Sequence, residues 1–170
     1  ARGLDGSRLV ARLAKEPQGT LFPWSADDVA DLSSRVRTLV NQGVATGSWL
    51  VGTGGLLRTL LRVCTSTRQG LVHRIDENMS RDAVLPYLLG EEQPQVLVAV
   101  RRDQEPALRQ VLGALPLHRM GVLAGLSFAL EHHSDILTNR RVDELSVLDE
   151  AVIPNIVAKK WRNAMVEATP

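Results

Sequence analysis

Apolar residues in this chain fall into short runs whose spacing switches between helical and extended. In "PWSADDVADLSSRVRTLVNQG", Val29, Leu32, Val36, Leu39 and Val40 recur at helical intervals, which predicts an amphipathic helix with one buried face. Ser25 stands where an N-cap belongs, Asp27 and Asp28 suit the positive end of the dipole, and Gly43 supplies a stop. The short run "SWLVGT" ends in glycine and predicts a buried strand, with "LLRTLLRVC" as the helix after it. "QGLVHRI" predicts a second strand. "MSRDAVLPYLLGEEQP" predicts a helix capped by Ser80 and ended near Gly90, with Pro86 as a candidate kink. "QVLVAV", residues 95–100, is the clearest strand. A helix from Asp103 to Leu115 follows it, with Pro106 in the first turn, where proline is tolerated.

Further on, "HRMGVLAGLSFALEHHSDILTN" reads as the longest apolar helix. Gly121, Ala124, Gly125 and Ser127 would line one side of it, a face suited to close packing against a second subunit and hence to a homodimer. "VDELSVLD" predicts a last strand and "EAVIPNIVAKKWRN" a last helix bent at Pro154. The opening segment through "SRLVARLAKE" fits either a strand pair or a short helix. Strands alternating with helices predict an α/β layer fold, and no internal repeat or linker divides the chain.

Composition narrows the classes. At 170 residues there is room for one domain with a real core or for two small lobes, and 44% hydrophobic residues is ordinary for a globular protein. A net charge of +1 argues against a dedicated nucleic-acid or membrane surface. No apolar run approaches the roughly 18 residues of a spanning helix. One cysteine excludes an intramolecular disulfide and fits a reducing, cytoplasmic setting; Cys64, inside "LLRVC", reads as a buried thiol.

The most suggestive chemistry lies in Gly52-Thr53-Gly54-Gly55. A strand that ends in glycines and opens a helix presents backbone N–H groups at the positive end of a dipole, a natural anion site. Arg58 and Thr59 could assist there. The signal is incomplete: Leu56, Leu57 and Arg58 stand where a P-loop has Lys-Ser/Thr, and the third glycine of the dinucleotide fingerprint is missing. Asp149, at the carboxyl end of "ELSVL", sits at the edge where open α/β sheets bind ligands, though a helix cap explains it equally. "EHHSD" offers His132, His133 and Asp135, but adjacent histidines on a helix point about 100° apart, and no second cluster completes a metal shell. Arg101 and Arg102 end the clearest strand, while Trp24, Trp49 and Trp161 are too dispersed for a stacking platform.

Taken in order, "PWSADDVADLSSRVRTLV", "LVGTGGLLRTLLRV", "HRMGVLAGLSFALEHHSDIL" and "VDELSVLDEAVIPNIV" resemble the second half of the exopolyphosphatase and guanosine-pentaphosphate phosphohydrolase family. The likeness covers roughly residues 17–157. It implies a ribonuclease-H-like, actin-like lobe, a mixed sheet flanked by helices, with residues 1–170 as a single α/β domain of a longer two-lobe protein. It also implies polyphosphate or a guanosine polyphosphate as ligand, held by Gly52, Thr53, Gly54, Gly55 and Arg58, with Asp149 contributing. Mg2+ would assist only in the complete protein, and this chain itself carries no cofactor. Leu56 replaces the family's Thr, and of "S-D-x-G-L-R-E-G" only Asp149 is kept. The "D-x-G-G-G-S" loop and the water-activating glutamate belong to the other lobe, so the chain alone is expected not to turn over. A non-catalytic nucleotide- or phosphate-binding α/β module, or an interaction domain, is the alternative.

Overall fold

A computed structural model describes residues 4, 7–14, 25–91 and 94–147. The elements in chain order are α1 (Arg8–Ala14), α2 (Ala26–Asn41), β1 (Ala45–Leu50), α3 (Gly55–Thr67), β2 (Leu71–Ile75), α4 (Arg81–Leu89), β3 (Val96–Val100), α5 (Glu105–Leu112), β4 (Ser127–His132) and β5 (Asp135–Arg141). This is an α/β chain with helices and a mixed sheet. It divides into two compact units, Ala1–Val63 with Asp76–Met120, and Cys64–Ile75 with Gly121–Pro170. No helix among the described residues is long and apolar enough to cross a membrane.

In the first unit, β1 and β3 pair antiparallel, and α2 packs on β1 and on α5. Ser48, Leu50, Val96, Val98 and Val100 share one sheet face because directly paired residues point the same way. The core gathers Leu39, Val44, Ala45, Leu108 and Leu112, with Val98, Val100 and Val111 packed against it. Helix α2 starts as its sequence dictates. The Ser25 hydroxyl accepts from Asp28 N at 3.1 Å, and the Asp28 carboxylate accepts from Ser25 N at 3.2 Å, a complete capping box. Arg35 then ties the two helices: its Nη1 donates to the carbonyls of Val111 (2.8 Å) and Leu112 (3.1 Å), capping the C-terminus of α5, while Nε meets Asp31 at 2.9 Å.

In the second unit, β2 and β4 pair parallel and β4 and β5 antiparallel, in the order β2-β4-β5. Leu71, His73 and Ile75 face inward from β2, and Phe128, Leu130 and His132 from β4. Across the outer face Arg74 Nε donates to Glu131 at 2.8 Å. Two loop bonds, Gly70 N to Gly125 O and Ala124 N to Gly70 O, each 2.9 Å, stitch the approach to β4 onto the start of β2.

Three sequence expectations are corrected. Residues 118–139 form no helix: they are an irregular approach followed by the β4–β5 hairpin, turned at His133 with φ of 52°. The reason is a period of two. Phe128, Leu130 and His132 alternate inward, and Gly125 takes a left-handed φ of 69° that a helix interior excludes. The small-residue helix face that suggested a dimer therefore does not exist. Second, "VDELSVLD" is helical over 142–147. Buried Val142 and half-buried Leu145 and Ser146 follow helical spacing, and the Ser146 hydroxyl donates to Val142 O at 3.0 Å. Asp149 thus has no strand before it to end; Asp149 itself and the helix expected at 150–163 lie outside the described residues. Third, β1 begins at Ala45 and is half-exposed rather than buried throughout. The open reading of the first segment resolves as helix α1.

Replacing Arg35 with alanine frees two carbonyls at the end of α5 and should lower stability by about 1–2 kcal/mol in urea denaturation. Asp31→Ala, which removes only the exposed ion-pair partner, should change stability by no more than ~0.5 kcal/mol.

Candidate functional site

The glycine turn forms where the sequence places it, between β1 and α3. Gly55 N donates to Gly52 O at 2.8 Å, closing a four-residue turn. Gly54 occupies its third position with φ +87°, the conformation a type II turn demands there. Gly55 follows at φ +65° for a different reason. A Cβ on it would lie 2.8 Å from the carbonyl oxygens of Leu88 and Gly90, so the backbone leaving α4 occupies the space a side chain would need.

The N–H that would greet a phosphate already has an anion. Gly54 N donates to Glu91 Oε1 at 2.9 Å, across 37 residues of sequence. Glu91 follows the end of α4 by two residues, and this carboxylate caps the positive end of α3. The residues that follow the glycines turn inward or fold back on the turn. Leu56 is buried, and the Thr59 hydroxyl donates to Gly55 O at 3.0 Å inside the core. Arg58 is exposed, with Nη1 3.4 Å from Thr53 O and its stem lying over Gly54. Thr53 is exposed and Gly52 half-buried. The structure thus keeps Gly52, Thr53, Gly54, Gly55 and Arg58 together at one turn, and the Glu91 carboxylate bonds Gly54 N there. Sequence reasoning missed Glu91, because nothing local distinguishes it from the other acids that follow helices and strands.

Other candidates separate. His132 is buried and His133 exposed in the hairpin turn, their rings 4.2 Å apart and tilted by 52°. Among the described residues no three His, Cys, Asp or Glu side chains gather as a metal site would require. Arg101 pairs loosely with Asp103 at 3.6 Å, and both are exposed. Cys64 is fully buried, and loss of water around it pushes the thiol up to about 11. A shallow apolar cleft of about 360 Å³ lies along α2 and the end of the β1–β3 ribbon, lined by Val36, Arg37, Val40, Leu50 and Val96; no residue of the glycine turn lines it.

No protein-family model and no curated protein matches this sequence. Among solved structures the chain is similar to phosphoribosylformylglycinamidine synthase II (PurL) of Thermotoga maritima. Against PurL complexed with ATP the TM-score is 0.57 at 16% identity, covering 68% of this chain and 21% of that one. Against PurL complexed with FGAR the TM-score is 0.56 at 16% identity, covering 68% and 20%. Against PurLQS of Thermotoga maritima it is 0.63 at 16% identity, covering 86% and 24%. The chain therefore spans a fifth to a quarter of the length of these proteins, and at this identity the likeness is one of fold.

Gly55→Ala, which drives a methyl into backbone, should cost about 3 kcal/mol or more; Gly54→Ala, strained but facing a movable arginine stem, about 1–2 kcal/mol. Glu91→Ala should cost about 1–2 kcal/mol by leaving the Gly54 N–H without its carboxylate. All three are read by chemical denaturation. For Cys64, whose proton is held more tightly in the folded than in the unfolded chain, stability is fully present below about pH 9 and falls as pH rises towards 11. A Cys64→Ala variant should lack that alkaline slope, and native Cys64 should react with a thiol reagent only on unfolding.

Proposed function

We propose that this chain is a non-catalytic α/β module of a larger enzyme, built like part of the phosphoribosylformylglycinamidine synthase of Thermotoga maritima, and that its Gly52–Gly55 turn is a structural joint. The observation that carries this reading is the Glu91 carboxylate on Gly54 N at 2.9 Å. A phosphate at that point would have to displace one anion and would meet its charge nearby. Buried Leu56 stands where a phosphate loop supplies a polar group, and the Thr59 hydroxyl is spent inside the core on Gly55 O; both support the same view. The similar structures of the Thermotoga maritima synthase are of its complexes with ATP and with FGAR. In this reading such ligands are bound by the complete enzyme, and the module contributes architecture.

The polyphosphatase-lobe reading draws on a separate observation: the glycine turn does follow a strand and open a helix, as a phosphate loop does. It assigns ligand contact to Gly52, Thr53, Gly54, Gly55 and Arg58, with an actin-like topology and Mg2+ in a two-lobe protein, and no turnover by this chain alone. Titration calorimetry of the 170-residue chain with ATP, polyphosphate and a guanosine polyphosphate separates the two. The joint reading expects no saturable heat from any of them at millimolar concentration. Polyphosphate binding that Arg58→Ala abolishes would overturn it in favour of the lobe. Saturable ATP binding alone would instead make the turn a nucleotide site.

A further inference from the structure

Strand β5 ends the sheet of the second unit, and no strand among the described residues pairs with its outer edge. Six of its seven residues are exposed, among them Ile136 at 64% and Leu137 at 43%. An exposed edge with apolar side chains is a template for another strand. The edge also carries charge at both ends, Asp135 and Arg140–Arg141. Arg141 is engaged within the chain, its Nη2 2.9 Å from Asp143. Arg140 makes no ion pair among the described residues.

We propose that β5 pairs antiparallel with β5 of a second copy of this chain, about a twofold axis between Leu137 and Thr138. The hairpin register selects this alignment. Asp135, Thr138 and Arg140 lie opposite His132, Leu130 and Phe128, so they share one sheet face. Ile136 and Asn139 lie opposite Glu131 and Ala129 and share the other. Leu137 is the extra residue of a bulge, which shifts the alternation by one. Residues directly opposite across an antiparallel pair must point to the same face. With the axis between residues 137 and 138, Asp135 meets Arg140 of the partner subunit on one face and Ile136 meets Asn139 of the partner subunit on the other. Both matches occur twice, as an isologous interface requires. An axis through Thr138 itself would set Asp135 against Arg141 across opposite faces, which the bulge forbids. The complementarity is thus a product of the bulge, and the interface is small, so the dimer is weak.

Sedimentation equilibrium of the 170-residue chain up to millimolar concentration tests this. The native chain should show a monomer–dimer equilibrium. Asp135→Arg and Arg140→Asp should each weaken dimerisation at least ~10-fold by placing like charges face to face, with circular dichroism confirming that both fold. An equimolar mixture of the two variants should regain dimer, because each mixed pair again sets arginine against aspartate. A strictly monomeric native chain, a dimer indifferent to both reversals, or a mixture that stays monomeric overturns the proposal. Rescue by Arg141→Asp in place of Arg140→Asp overturns this register.

Discussion

Gly55 has no side chain because the carbonyls of Leu88 and Gly90 occupy the place where one would stand. That close approach brings the end of α4 against the start of α3, and Glu91 then completes it from the other side by accepting from Gly54 N. A steric requirement and an electrostatic one converge on two consecutive glycines. Backbone carbonyls cannot retreat as a flexible side chain can, so the site has no slack for a Cβ. The carboxylate cannot leave without exposing the positive end of a thirteen-residue helix. The turn has the outline of an anion site because it is one, filled from within the same chain.

The same economy recurs elsewhere in the first unit. Arg35 satisfies the last carbonyls of α5 from α2, so the termination of one helix depends on a side chain of another. The hydrophobic cluster of Leu39, Leu108 and Leu112 fixes the distance between the two helices and makes that reach feasible. The exposed charges act more locally. The Arg109 guanidinium beside Glu105, bonded at 2.8 Å, holds that carboxyl below the usual range, and Arg141 does the same for Asp143. These exposed pairs join residues close in sequence and do little to choose the fold.

Elements with local instructions were legible in the sequence. Ser25, Asp28 and the stripe from Val29 to Val40 specify α2 without help, because capping and one-sided burial act within a few turns. Val96–Val100 and Leu71–Ile75 carry their strand character in β-branched and apolar runs. The stretch from His118 to Asn139 misleads because apolar residues and small residues coincide with both a helical and an alternating pattern. Pairing with β2 decides between them, and β2 lies some fifty residues earlier. "VDELSVLD" errs in the opposite sense: it looks extended, yet Val142 is buried where a helical start suits it.

By itself, then, the sequence determined the α/β character, the positions of the local caps and the glycine turn between a strand and a helix. Those depend on spacing, dipoles and backbone freedom, which act over a few residues. Only the tertiary structure decided what fills the turn, which residues make the hairpin and how its bulge sets the faces of β5. The partner of Gly54 lies thirty-seven residues away, and the partner of β4 farther still. Contacts at that range are chosen by packing, and no local pattern encodes them.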